Sequence, residues 1–174
     1  MISVLSAVAE IERENIRVQT MEGRIQKARE GRWNGGFSPY GYRLVDGVLQ
    51  INEDEAPAIR TIFEQYVNTD TGANGLSKYL ETHGFQKLAR QNGTSPLFSA
   101  TLIRAILKSP VYCGKIALGR RKLEKIHGTR NEYHQVPQEN YLLVDGLHKG
   151  IVSEELWNAA QVKLLAQSKR YEPV

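Results

Sequence analysis

The first thirty residues repeat an apolar side chain every seventh position: Val4, Ile11, Val18 and Ile25. Ala7, Met21 and Ala28 fill the intervening core-type positions, and Glu14 breaks that second set. An apolar period of seven marks a helix whose stripe faces another helix. The run from Ser3 to Arg29 has no proline and a single glycine, Gly23, so the spacing predicts one helix of about 40 Å. Glu10, Glu12, Arg13, Glu14, Arg17, Glu22, Arg24, Lys27 and Arg29 cover its other faces. So narrow a stripe fits a partner helix, a second copy of the chain or a neighbouring domain. It also fits a surface helix lying on its own domain. Val4, Ile11, Val18 and Ile25 are the candidate pairing residues.

At Gly31 the periodicity stops. The twelve residues from Gly31 to Tyr42 hold four glycines, one proline and four aromatics. Glycine is a common helix stop, and glycines allow the backbone to approach a ligand closely. An extended arm carrying Arg32 has the form of a minor-groove contact. The same segment also reads as a linker whose Trp33, Tyr40 and Tyr42 pack on the next domain.

Further on, Tyr42–Val45, Asp46-Gly47 and Val48–Ile51 spell a hairpin with a two-residue turn. An acidic helix start follows with its cap near Asp54, and Ile59, Ile62, Phe63, Tyr66 and Val67 form one face. A second helix is expected over 75–83, and a third over Ala100–Lys108 with Ser99 as cap. Three short helices with tight connections resemble a helix-turn-helix. After Pro110 a strand from Val111 to Leu118 is expected, then a polar loop over 127–140. Tyr141–Val144 pairs back on that strand, and a last helix capped by Ser153 runs from Glu154 to about Ser168.

Charge is uneven along the chain. Residues 86–130 carry ten Lys or Arg against one acid, Glu124, whereas 1–52 are +1, 53–85 are −4 and 131–174 are −2. Such concentration suits a polyphosphate, because each neutralised phosphate releases condensed counterions. A solvated basic loop is the plainer reading. On the binding reading, Lys115, Arg120, Arg121, Lys122 and Lys125 neutralise phosphates, and Arg104 and Lys108 on the third helix face a groove. The patch alone permits RNA as well as DNA, and a helix-mediated interaction module that leaves it solvated is a third reading.

Other classes are excluded or disfavoured. No apolar run approaches the roughly 20 residues of a membrane span, and the opening MISVLSAVAEIEREN lacks the basic leader of a signal peptide. The lone Cys113 excludes an intramolecular disulfide or a zinc site on paired cysteines, and makes the reducing cytoplasm the simplest compartment. His83, His127, His134 and His148 read as scattered surface residues with no metal-binding spacing. No serine has a recognisable activating base. No metal, cofactor or catalytic residue is expected, and the chain reads as a binder rather than an enzyme.

Five segments together resemble a known family: Glu12-Arg13-Glu14-x-Ile16; Gly31 to Tyr42 with its Pro39-Tyr40-Gly41-Tyr42; Ile59-Arg60-x-Ile62-Phe63; Ile106-Leu107-Lys108-Ser109-Pro110-x-Tyr112-x-Gly114; and Ile151-Val152-x-x-Glu155-x-Trp157. In this order they resemble the recombinase domain of large serine recombinases, the integrases and transposases of phages and conjugative transposons. The resemblance covers nearly the whole chain. It implies an α+β, mainly helical fold: a long N-terminal helix, then a small helical DNA-binding domain with short antiparallel strands. Residues 1–30 would be the connecting and dimerisation helix, 31–42 a Gly/aromatic linker, 43–168 the recombinase domain, and 169–174 the start of a linker to a zinc ribbon. Arg13 matches an arginine near the catalytic domain, and Gln19 stands where the family commonly has an arginine before the threonine matched by Thr20. The implied function is DNA binding at an attachment site, within a bacterial or phage-encoded protein of the cytoplasm. The serine nucleophile and the paired cysteines of the zinc ribbon are expected to lie outside this chain. Expected partners are double-stranded DNA and, through residues 1–30, a second copy; no membrane is expected.

Overall fold

A computed structural model describes residues 3–89 and 95–169. Helix α1 (Val4–Arg29) starts where Ser3 accepts the Ser6 N–H at 3.2 Å. It buries only Ala28; Val4, Leu5, Ile11 and Ile16 are each more than 60% exposed. The helix therefore does not lie on its own domain, and its stripe is uncovered. Its C-terminal end is what is seated: Asn34 Nδ2 donates to Arg24 O at 2.7 Å, and just past the helix the Gly31 carbonyl accepts the Leu147 N–H at 3.0 Å.

The hairpin forms as the sequence predicts: β1 (Tyr42–Val45) pairs with β2 (Val48–Ile51), Tyr42 opposite Ile51. Asp46 and Gly47 both take positive φ, 50° and 77°, which matches the turn to the twist of the strands. Tyr42, the expected first residue of this hairpin, opens β1 and is fully buried. Helix α2 (Ala56–Asn68) begins one residue later than its predicted cap. The reason is that the buried Glu55 turns its carboxylate to the Gly41 N–H, 2.7 Å away, and so ties the arm to the helix start. Helix α3 (Ala73–Thr82) follows after a tight turn, and α4 (Ala100–Lys108) is capped by Ser99 accepting from Leu102 N–H at 3.2 Å. Residues 83–99 separate α3 from α4, too many for the short turn of a helix-turn-helix.

The predicted strand from Val111 breaks at its start. Pro110–Cys113 is a 3-10 turn, ended by Gly114 at φ 86°. Proline fits a first helical position, and burial of Val111 and Tyr112 overrides their strand preference. Strand β3 (Lys115–Leu118) then pairs antiparallel with β6 (Leu142–Asp145), Ile116 opposite Val144. Between them, β4 (Arg121–Lys125) and β5 (Tyr133–Pro137) make a second hairpin, so the expected polar loop contains a strand. Its alternation was masked because neither strand has an apolar face to bury. Helix α5 (Glu154–Lys169), capped by Ser153 at 3.2 Å from Leu156 N, closes the body. It packs on α2 and α4, and the core joins Ile59, Ile62, Phe63, Leu76, Leu80, Ile103, Leu107 and Ala160 from α2, α3, α4 and α5. No helix among the described residues is long and apolar enough to cross a membrane.

Candidate nucleic-acid interface

The cationic residues divide between α4, the β4–β5 hairpin, the β3–β6 ribbon and the end of α1. On α4, Ile103, Ile106 and Leu107 face the core, which leaves Arg104 and Lys108, one turn apart, exposed on the outer side. They border a cleft of about 500 Å³ whose other walls include Tyr66, Asn74, Gly75 and Gln167. Burial pushes the Tyr66 phenol up, and the nearby Arg104 charge opposes that shift.

The C-terminus of α4 is clamped. Gln161 Nε2 donates to Leu107 O at 2.6 Å, Arg120 Nη2 to Lys108 O at 2.8 Å and Trp157 Nε1 to Ser109 O at 3.0 Å. Three successive carbonyls that a helix end leaves unpaired thereby gain side-chain donors. Two of these donors come from α5 and the third from the root of the β4–β5 hairpin. Arg120 is thus half-buried and tied to α4, which brings Arg121, next in the chain, close to the end of α4.

Beyond that root the hairpin stands out from the body. Every residue of β4 is exposed, and all of β5 except Val136. Arg121, Lys122 and Lys125 are exposed with it. Arg121 Nη1 donates to Gln135 Oε1 at 3.1 Å across the strands.

Lys115 is placed differently. Its ammonium lies 2.9 Å from Asp145 and 3.6 Å from Glu154, and the hydrogen bond to Asp145 raises its pKa above the ordinary lysine value. Its charge is met at the surface by two carboxylates of this chain. Arg32 stands at the foot of α1, with Nε 3.6 Å from Glu30 and its side chain 41% exposed. The structure therefore brings together α4 and the hairpin root, and leaves Arg32 at a separate junction.

Sequence reasoning missed Gln135, because the strand that carries it was read as loop. It also read His148 as a surface residue, whereas the ring is 7% exposed with Nε2 2.8 Å from Val111 O. Burial lowers its pKa, against the effect of that hydrogen bond. The turn glycines around it, Gly146 and Gly150, are the only sequence signal of close packing there.

A protein-family model described as Recombinase matches residues 53–167. A protein of Bacillus subtilis (strain 168) assigned as a DNA recombinase is 29% identical over 171 residues, which cover 94% of this chain and 34% of that protein. A crystal structure of an LSR–DNA complex superposes with TM-score 0.61 at 22% identity, over 87% of this chain and 39% of that one. A structure concerned with the sequence requirements of the Listeria innocua prophage attP site gives TM-score 0.64 at 21% identity, over 88% and 54%. This chain spans about a third to a half of the length of these relatives, and at such identities the two structures are alike in fold.

Proposed function

The chain belongs to the Recombinase family, and from that premise we propose that it is the DNA-binding part of a site-specific serine recombinase, placing the enzyme on an attachment site during integration or excision of a mobile element. Strand exchange itself belongs to a catalytic domain of the parent protein, and residues 1–30 join the two and pair subunits. The observation that carries this reading is the match over 53–167 coinciding with an exposed cationic surface built from α4 and the β4–β5 hairpin. Arg104, Lys108, Arg121, Lys122 and Lys125 supply phosphate and groove contacts, and Arg32 enters the minor groove from the foot of α1. Lys115, paired to Asp145 and Glu154, and Arg120, bonded to Lys108 O, hold the framework in position.

About six phosphate contacts give a log–log salt slope on the order of −5. Fluorescence anisotropy with a labelled duplex is then expected to show affinity falling roughly a thousandfold between 50 and 200 mM salt. Affinity indifferent to salt rules out this electrostatic footprint. A structured RNA that competes as well as duplex DNA would favour an RNA-binding domain instead.

A further inference from the structure

We propose that the β4–β5 hairpin enters the major groove of DNA with one defined face toward the base edges, where Arg121 and Gln135 read sequence. This rests on the DNA-binding reading above and goes beyond it. The hairpin is then the reading head and α4 its anchor.

The register fixes which side chains share a face. Arg121 lies opposite Pro137, Leu123 opposite Gln135 and Lys125 opposite Tyr133, and alternate residues of a strand point the same way. One face thus holds Arg121, Leu123, Lys125, Tyr133 and Gln135. The 3.1 Å bond from Arg121 to Gln135 lies on it. The other holds Lys122, Glu124, His134 and Val136, the last of which is half-buried. The Arg121 face therefore looks outward.

That face is chemically odd for a solvated ribbon. Leu123 and Tyr133 are 63% and 57% exposed, beside two cations and an amide. A two-stranded hairpin with both edges open is marginal by itself and invites edge pairing. A duplex accounts for all of these features. The segment 120–137 has five Lys or Arg against two acids, which complements phosphate. A groove about 12 Å wide admits a two-stranded ribbon, and five residues of strand reach roughly 17 Å along it. Arginine matches guanine O6 and N7, glutamine matches adenine N6 and N7, and an apolar side chain meets the thymine methyl. The Arg121–Gln135 bond fixes both planar groups before contact, which lowers the ordering cost of recognition. Arg120, fastened to Lys108 O, aims the hairpin from α4.

The test uses the full 174-residue chain. A 30-bp duplex is first enriched by the protein from a random-sequence library, and poly(dI–dC) serves as the non-specific probe. Arg121→Ala with Gln135→Ala is expected to weaken binding to the enriched duplex about tenfold or more, and to poly(dI–dC) by less than about threefold. Lys122→Ala weakens both probes alike. Arg121→Lys keeps the charge and loses the planar fork, so it restores poly(dI–dC) binding and leaves recognition of the enriched duplex impaired. Duplex RNA of the enriched sequence does not compete, because its major groove is too narrow to enter. Circular dichroism checks that the variants, all at exposed positions, stay folded. Equal loss on both probes, full rescue by Arg121→Lys, competition by the RNA, or indifference to the double substitution each overturns the hairpin assignment while DNA binding stands. Failure of the unaltered protein to enrich any sequence overturns the assignment together with the attachment-site reading beneath it.

Discussion

Tyr42 joins three stretches of chain through one hydroxyl. Its oxygen lies 3.1 Å from Val111 O and 2.9 Å from Lys149 O, and accepts the Ile151 N–H at 3.2 Å. Burial pushes the phenol well above its ordinary pKa, so it remains a neutral donor. Tyr42→Phe keeps the ring packing but takes the hydroxyl partner from Lys149 O and the Ile151 N–H, while Val111 O keeps its contact with His148 Nε2. We expect about 1–3 kcal/mol of lost stability, measured by urea unfolding. His148 meets the Tyr42 ring edge-on at 5.3 Å and is held neutral by burial. A histidine with a lowered pKa in the folded state binds its proton more readily once unfolded. Its contribution is therefore complete above about pH 6.5 and is lost as pH falls from there through the lowered value. Denaturant midpoints between pH 7.5 and 5 are expected to drop, and His148→Gln to flatten that slope; an equal drop in the variant places the pH sensitivity elsewhere. Gly31 takes φ 74°, and a Cβ there would stand 2.8 Å from Asp145 O and 2.9 Å from Leu147 N. Gly31→Ala should cost more than about 1 kcal/mol, by strain and by loosening the seat of α1.

At the scale of elements, helix ends are where this fold is fastened. Lys163 Nζ reaches Tyr66 O and Thr69 O at 2.6 Å and Thr71 O at 3.1 Å, closing the end of α2 as Gln161, Arg120 and Trp157 close the end of α4. The motif residues Trp157 and Leu107-Lys108-Ser109 recognised in the sequence are thus two halves of one clamp. Arg120→Ala is expected to raise hydrogen exchange in β4 and β5 while leaving the α2–α3–α4 core protected; a protected hairpin would mean that the Lys108 bond does not hold it. Elements with an apolar period were readable: α2, α4, α5 and the β1–β2 hairpin all bury a face, and burial writes a pattern. The β4–β5 hairpin was not, because exposed strands need no alternation of polarity. The 3-10 turn was missed because Val111 and Tyr112 favour strands wherever tertiary packing does not decide otherwise.

For the whole molecule, the body is complete without most of α1. Residues 4–24 of that helix bury no side chain fully, so Ile11→Glu with Val18→Glu should leave the unfolding midpoint of the body within error. The same pair should abolish any self-association seen by sedimentation velocity, since it places charge in the stripe; association that survives must use another surface. The charge map was legible as a local excess, yet nothing in the sequence separates Lys115, matched by Asp145 and Glu154 from distant positions, from Lys122, which has no ion pair among the described residues. Partners in space are settled by topology. A rod fixed at a single foot also carries phase. One residue inserted between Val18 and Ala28 would swing the upper stripe by about 100° around the rod axis and lift it by roughly 1.5 Å, while seven would return it nearly to its original azimuth. Whatever docks along that rod is thereby indexed, in angle and height, to the hairpin on the body below.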